Sequence, residues 1–557
     1  MDMANREIAA IFMEIADLLD LDGEKFKPEA YRRVARTLEQ FPEDVSTLAR
    51  DKRLMEIPGV GEALAKKVEE YLETGQVHYL ERLRAMHPPG LLAIMRLEGV
   101  GPKTTRRFNT ELGIENVEGL RKALDEGRLD GMRGFGQKKI ELLRKAISAM
   151  EGNRRLSLPA AQREAEAIID ALKASGVPFD QLSYAGSLRR RKETVGDIDI
   201  ISTSSEPARV TEAFVHIPQV GEVKLHGETK ATIVTTSQVQ VDLRVVSPEA
   251  FGAALQYFTG SKDHNVRVRT IAQQMGLKVN EYGITRDGTL LPTPAEEDVY
   301  AAVKLQYIPP EVRENRGEIE AASEGKLPRF LSPGDTKGEL HIDVAADVTG
   351  ADLKPWAKAL RGAGLDYGGF VIAEAGSGKA DWSAVRNRLP GQLGDVRVLL
   401  GAEITLDNGG PPANPPEGAD YVILRPPQKE AIEANRLRSL LDAIRGFPST
   451  IVGHLDEMDD SQAGLFVGTL LDAAHKMPDL KERLSLEVAV NGETVVLEIN
   501  LVRRAVDQGF PLVVSARPLS PGDIGRIGIA SGIAARGWAR ADGVLNTREA
   551  TFWASSA

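Results

Sequence analysis

A chain of 557 residues, 42% hydrophobic and 27% charged, is long enough for three or four domains and ordinary enough to be globular throughout. It contains no cysteine, which excludes disulfides, thiolate zinc sites and thiol nucleophiles and leaves carboxylates and eight histidines as metal ligands. The net charge of −11 excludes a uniformly basic nucleic-acid binder, and no apolar run approaches the roughly 20 residues of a membrane span; with no secretion signal at the N-terminus, a cytoplasmic protein without membrane contact is expected.

From about Asn5 to Gln76 apolar residues recur at helical spacing (Ile8, Ile11, Ile15, Leu18, Leu19), with Pro28, Pro42 and Pro58 punctuating short helices. Three related segments stand in series: IPGVGEALAKK from Ile57, LEGVGPKTTRR from Leu97 and MRGFGQKKIELL from Met132. Each places G-x-G (Gly59 and Gly61, Gly99 and Gly101, Gly134 and Gly136) before a helix-forming run. The glycines permit a tight turn, and the next helix opens with bare N–H groups that can take a phosphate. One such turn is an ordinary helix connection. Three read as helix-hairpin-helix motifs holding a DNA backbone without reading bases, and Lys66, Lys67, Lys103, Arg106, Arg107, Lys138 and Lys139 add charge behind the turns.

Beyond Pro159 the pattern becomes α+β. In GSLRRRKETVGDIDII, Asp197 and Asp199 leave the same face of a strand while Ile198 and Ile200 enter the core. In SQVQVDLRVV, Val239, Val241, Leu243 and Val245 form the apolar face, and Gln240, Asp242 and Arg244 point the other way. If the two strands are neighbours, three carboxylates meet, and such a cluster calls for cations and for two-metal phosphoryl transfer with Mg2+ or Mn2+. Upstream, Gly186 and Ser187 form a turn suited to phosphate oxygens, with Arg189, Arg190 and Arg191 to neutralise charge. A Pro-, Glu- and Gly-rich stretch, YIPPEVRENRGEIEAASEGKLPRFLSPGDTKG, leads to a last α/β region, where the runs Arg397 to Leu400, Tyr421 to Leu424 and Val495 to Ile499 read as strands.

The order G-S, basic run, D-x-D, later strand Asp, then YFTGSKDHNVRVR at Tyr257 to Arg269, resembles the family X DNA polymerases, including DNA polymerase beta. The resemblance implies that Ser187 and Arg190 hold β- and γ-phosphates, that Tyr257 and Phe258 lie against the sugar, and that Gly260 gives the close turn. It implies further that Asp263 and Asn265 contact the base region and Arg269 the template strand. In isolation the aromatic pair would read as core. AYRRVARTLEQFP with the first hairpin resembles the family's DNA-end domain, which makes Lys67, supported by Tyr31 and Lys27, a candidate Schiff-base lysine, or else a phosphate contact. One departure is Gln240, where DNA polymerase beta has an arginine just before its third aspartate.

Bacterial members commonly continue into a PHP phosphoesterase domain, and KGELHIDV and IASGIAARGWARADGVLN resemble its ends. Its H-x-H is His341-Ile342-Asp343 here, its Asp-His pair is Glu374-Ala375, a later histidine falls near Pro427, and its final Asp-x-His is Ser515-Ala516-Arg517. Glu403 matches and His454 is a candidate, so His341, Asp343, Glu403 and His454 are the ligands left, opposed by a cation at Arg517.

The resulting expectation is a multidomain chain: an all-α helix-hairpin-helix region (1–85 with the first motif, 86–155 with two more), an α+β nucleotidyltransferase palm (156–264), a thumb-like subdomain (265–318), a linker (319–337) and a C-terminal α/β PHP-like barrel (338–557). It would be a monomer using dNTPs on gapped or nicked DNA, with a PHP-like domain of weak or no nuclease activity. The alternatives are a bifunctional enzyme with a manganese-dependent 3′-5′ exonuclease, a non-templated nucleotidyltransferase, and a non-catalytic DNA scaffold that would have no use for three facing acids.

Overall fold

The computed structural model describes residues 3–41, 45–74, 76–97, 99–132, 134–152, 155–373, 382–406, 418–426, 441, 445–447, 449–458, 460–475, 477, 480, 483–497 and 499–554. Glu374, Ala375 and Pro427 lie outside the described residues. The chain forms two compact units, residues 1–154 and 155–557.

Helices alone build the first unit, the longer ones being α1 (Met3–Asp22), α2 (Lys27–Gln40), α3 (Glu62–Thr74), α4 (Pro102–Leu112) and α5 (Gln137–Gly152). Their apolar stripes bury Phe12, Ile15, Val34, Leu38 and Phe108 in one core. The glycine turns repeat a single geometry. The amide of Val60 donates to Ile57 at 3.0 Å, that of Val100 to Leu97 at 3.0 Å, and that of Phe135 to Met132 at 2.9 Å. Gly59, Gly99 and Gly134 sit at φ +91, +78 and +88, the left-handed region that a side chain disfavours. Gly61, Gly101 and Gly136 then accept the first helical bonds of α3, α4 and α5.

In the second unit, α6 (Leu158–Ala174) and the short α7 (Gly186–Arg189) accompany a five-stranded sheet of β1 (Gln181–Tyr184), β2 (Asp197–Thr203), β3 (Val220–His226), β4 (Lys230–Thr235) and β5 (Gln240–Val246), in the order β1-β2-β5-β4-β3. The β2–β5 pair is parallel and the other pairs are antiparallel. Ile198, Ile200, Val241 and Leu243 are buried, so period-two alternation sends the acids to the opposite face. Next come α8 (Phe251–Thr259), α9 (Lys262–Gln274), an antiparallel sheet of Leu277–Asn280, Gly283–Arg286 and Thr289–Leu291, and a helix at Glu296–Ala302. Glu296 is buried between Arg189 (2.5 Å) and Arg313 (2.6 Å). Burial pushes its carboxyl up, but the two guanidiniums outweigh that and hold it at about 2.

The Pro- and Gly-rich stretch is packed rather than extended. It forms a helix at Glu318–Ser323, and Ile319, Ala322, Phe330 and Leu331 enter a core that continues from Leu158 to Val544.

Parallel strands β6 (Gly338–Asp343), β7 (Tyr367–Ala373), β8 (Val396–Thr405), β9 (Tyr421–Arg425), β10 (Ser449–Val452), β11 (Leu484–Asn491) and β12 (Leu512–Ser515) form a curled half-barrel, with α10 (Ile527–Arg536) on its outside. The edge strands β6 and β12 are joined through side chains. The Asn546 amide donates to Gly338 and Val514 carbonyls, both at 2.7 Å, and Glu339 accepts from Ser515 Oγ (2.6 Å) and the Ala516 amide (2.7 Å). Two of the expected strands form. Val495 to Ile499 is instead the end of a hairpin followed by a helix at Ile499–Asp507, and the true strand is β11, where Glu487 interrupts the apolar run.

Candidate active site

The β2–β5 ladder sets Asp199 directly beside Asp242, and Asp197 beside Gln240. Asp242 is held from two sides: Thr232 Oγ1 donates to Oδ1 at 2.5 Å and Gln240 Nε2 to Oδ2 at 2.8 Å. Gln240, the departure from the family pattern, thus orients the third aspartate with an amide in place of a guanidinium. Asp199 is pushed up to about 7, first by burial and then by Asp197 and Asp242, with Arg244 and Arg190 opposing. Gly186, at φ +63, allows the close approach of this carboxylate, since a Cβ there would stand 2.7 Å from Asp199 Oδ2. Three carboxylates sharing one face are hard oxygen donors of the kind that take divalent cations, although among the described residues only His341, Glu403 and His454 bring ligand atoms within 4.8 Å of one another.

Beside them opens a cleft of about 470 Å3. Of the residues expected there, Gly186, Ser187, Arg190, Asp197, Asp199, Tyr257, Phe258, Gly260, Asn265 and Arg269 line it. Asp263 does not; it is exposed on the first turn of α9. Asn265 is locked by its bonds to the Tyr257 carbonyl (2.7 Å) and from Gln256 (2.8 Å). Tyr257 and Phe258 meet edge to face at 5.2 Å, and the Arg244 guanidinium lies 4.3 Å from the Phe258 ring. The three successive arginines part company. Arg189 belongs to Glu296, Arg191 donates to Gln162 at 2.5 Å, and Arg190 alone faces the cleft, donating to the Thr259 carbonyl and paired with Glu314 at 3.1 Å. Arg155, Lys192 and Lys262 also line the cleft and were missed; their basic character was visible, but their direction was not.

In the first unit the turns present Gly61, Gly99, Gly101, Gly134 and Gly136 to open space, where an added Cβ would meet nothing within 4 Å. Lys103 is exposed after the second turn, whereas Arg106 bonds to the Asp20 carbonyl at 3.2 Å and Arg107 to Glu111 at 2.7 Å. Lys67 Nζ lies 5.0 Å from the centroid of Tyr79, whose ring stacks on Tyr31 at 6.4 Å. Burial holds the Lys67 amine below its ordinary value, with Arg82 reinforcing and Glu70 opposing. Lys27 is exposed, and its pairing with Glu24 raises its amine. Tyr79 was missed, for nothing in its local sequence marks it.

Within the half-barrel, His341, Glu403 and His454 are buried, and a ligand atom of each lies within 4.8 Å of the others. Asp343 lies 3.6 Å from His341 Nε2 and is mostly exposed. Other groups already occupy these side chains. Glu487 accepts from His341 Nδ1 at 2.6 Å, and the pair raises the imidazole and lowers the carboxyl despite burial. Arg517 Nη2 donates to His454 Nδ1 at 2.8 Å and Nη1 to Asp456 at 2.8 Å. Glu457 Oε1 lies 3.1 Å from the same Nδ1, and Nε2 is 2.8 Å from Glu403, so both ring nitrogens of His454 already have partners. A triad of this kind has the N and O donors of a single-ion site, but a multi-ion cluster does not fit beside the guanidinium.

Fold and cleft together define a polymerase beta-like core behind a helix-hairpin-helix region. Three family descriptions match the chain: a helix-hairpin-helix domain over residues 3–77, a SAM-like helix-hairpin-helix tandem over 91–149, and a DNA polymerase beta thumb over 254–314. The chain is 32% identical over 371 residues to DNA polymerase/3′-5′ exonuclease PolX of Bacillus subtilis, covering 66% of this chain and 64% of that protein. It is 24% identical over 334 residues to DNA polymerase lambda of Rattus norvegicus (54% of each chain) and 23% identical over 350 residues to DNA-directed DNA/RNA polymerase mu of Homo sapiens (54% of this chain, 67% of that one). The match thus spans a little under two thirds of the Bacillus protein and about half of the rat one. Over these stretches the chain is similar to family X DNA polymerases.

Proposed function

We propose that this chain is a DNA-directed DNA polymerase that fills short gaps during DNA repair, adding dNTPs to gapped or nicked DNA by nucleotidyl transfer at Asp197, Asp199 and Asp242. The observation that carries this is the pairing of Asp199 with Asp242 across adjacent strands, at the edge of a cleft lined by Ser187, Arg190 and the Tyr257–Phe258 pair. Bound Mg2+ or Mn2+ would activate the 3′-hydroxyl and stabilise the departing pyrophosphate. The chain's own groups do the rest: Ser187, Arg190 and Lys192 receive the triphosphate, Tyr257 and Phe258 bear on the sugar, Asn265 approaches the base, and Arg269 meets the template. Gln240 and Thr232 keep Asp242 aimed. We read it as a monomer of the cytoplasm; among the described residues no helix is long and apolar enough to cross a membrane. Extension of a primer across a short gap with each dNTP tests the reading. Template-directed addition is expected, lost in Asp242→Ala, whereas addition without regard to template would make the chain a non-templated nucleotidyltransferase.

A second activity has its own observation, the depressed amine of Lys67 beside Tyr79 and Tyr31. On this second reading Lys67 forms a Schiff base with an abasic sugar at the DNA end; the alternative is a phosphate contact. Borohydride should trap the chain on incised abasic DNA, and trapping that persists in Lys67→Ala would assign the adduct elsewhere.

The half-barrel is read as a PHP-like domain with weak or no nuclease activity, kept for architecture. Arg517 on His454, where a metal ligand would stand, supports this.

A further inference from the structure

The segment from Arg190 to Thr194 links the Gly186–Ser187 turn to the strand bearing Asp197, and its far side rests on the C-terminal domain. On the cleft side, the amides of Arg191 and Lys192 donate to the carbonyls of Leu188 and Ser187, both at 3.0 Å, so segment and turn move together. Lys192 lines the cleft with Arg190, its Nζ 3.8 Å from Glu314. On the far side, Glu193 accepts from Arg536 Nη1 at 2.9 Å. Arg536 ends α10, and its side chain is only 4% exposed. Arg191, held at φ +56, lies against the same helix, where a Cβ on Gly532 would stand 2.8 Å from Arg191 Cγ. Nearby, Ser157 and Arg163 at the start of α6 both donate to Glu493 of the half-barrel. A buried guanidinium spent on a half-exposed carboxylate, with a glycine where the neighbouring arginine passes, indicates that this surface holds a particular backbone conformation and does more than fill space.

We propose that the C-terminal domain positions the triphosphate-binding loop of the polymerase site, with Arg536 and Gly532 acting as positioning residues for Arg190 and Lys192 through Glu193 and Arg191. The inference rests on the polymerase reading and gives the half-barrel a task that needs no metal. Steady-state filling of a single-nucleotide gap by the full chain tests it. Glu193→Gln, whose side chain is 41% exposed, leaves the melting temperature unchanged and raises the KM for dNTP about fivefold with kcat within about twofold. Arg536→Gln has the same effect, Arg536→Lys restores most of it, and the double variant Glu193→Gln/Arg536→Gln is no worse than either single one. If Arg536→Gln fails to fold, Glu193→Gln decides alone. A wild-type KM in folded Glu193→Gln, or effects that add in the double variant, overturns the inference while the polymerase reading stands. A wild type that adds no nucleotide removes that reading, and the inference with it.

Discussion

At Asp199 burial and two neighbouring carboxylates act in the same direction, raising the carboxyl from 3.8 to about 7. A folded-state value above the unfolded one means that the metal-free protein binds a proton the unfolded chain has already lost, so stability falls as pH rises from about 4 through about 7. Asp199→Asn removes that cost. In chelator, urea unfolding should show it more stable than wild type by on the order of 1–3 kcal/mol above pH 7, with the difference gone below about pH 4. Nucleotide addition should be lost at every pH. Ion binding by the wild type should release close to one proton below pH 7, weakening as pH falls, and calorimetry in two buffers of different ionisation heat would read this. Asp197, Asp199 and Asp242 were all legible from strand alternation, because the period of two is local. Gln240 was legible as a neighbour on the same strand face, but Thr232, which also holds Asp242, was not, because its bond crosses to the next strand.

Among the elements, the hairpins separate fold from function. Gly59, Gly99 and Gly134 hold left-handed backbone, whereas Gly61, Gly101 and Gly136 have no positive φ and no neighbour within 4 Å of an added Cβ. Alanine at the second set therefore meets nothing inside the protein, and its methyl group would stand where a phosphate approaches the helix N-terminus. The triple variant Gly61→Ala/Gly101→Ala/Gly136→Ala should melt within about 2 °C of wild type and bind gapped DNA roughly tenfold or more weakly. Gly99→Ala, by contrast, should lose about 1 kcal/mol of stability. Equal DNA affinity of triple variant and wild type across a salt series would mean that the turns are only helix connections. The repeat was visible because the same residues serve the same turn three times. Strand β11 was not, since Glu487 faces His341 inside the half-barrel and breaks the apolar run that marks a buried strand.

At the scale of the second unit, the sheet bearing the three acids and the half-barrel share one core, so the half-barrel is structurally committed to it. With Arg517 supplying the positive charge beside His454 and Glu403, the half-barrel should not use a metal, and manganese should not elicit 3′-end digestion. Robust digestion abolished by His341→Ala would show instead that Arg517 yields to an ion. The burial of the Pro- and Gly-rich stretch belongs to this scale too, since composition describes a segment's freedom only until a partner surface covers it.

The sequence by itself determined the helical first unit, the three hairpins and the alternation that sends each acid to the polar face of its strand, because each follows from spacing within a single element, whereas most of the cleft was legible only through the resemblance to a family. Only the tertiary structure decided which of three successive arginines faces the cleft, how Asp242 is aimed without an arginine, which lysine sits against Tyr79, and what neutralises the half-barrel's histidines. These depend on contacts between residues distant in the chain, whose distances no local pattern encodes.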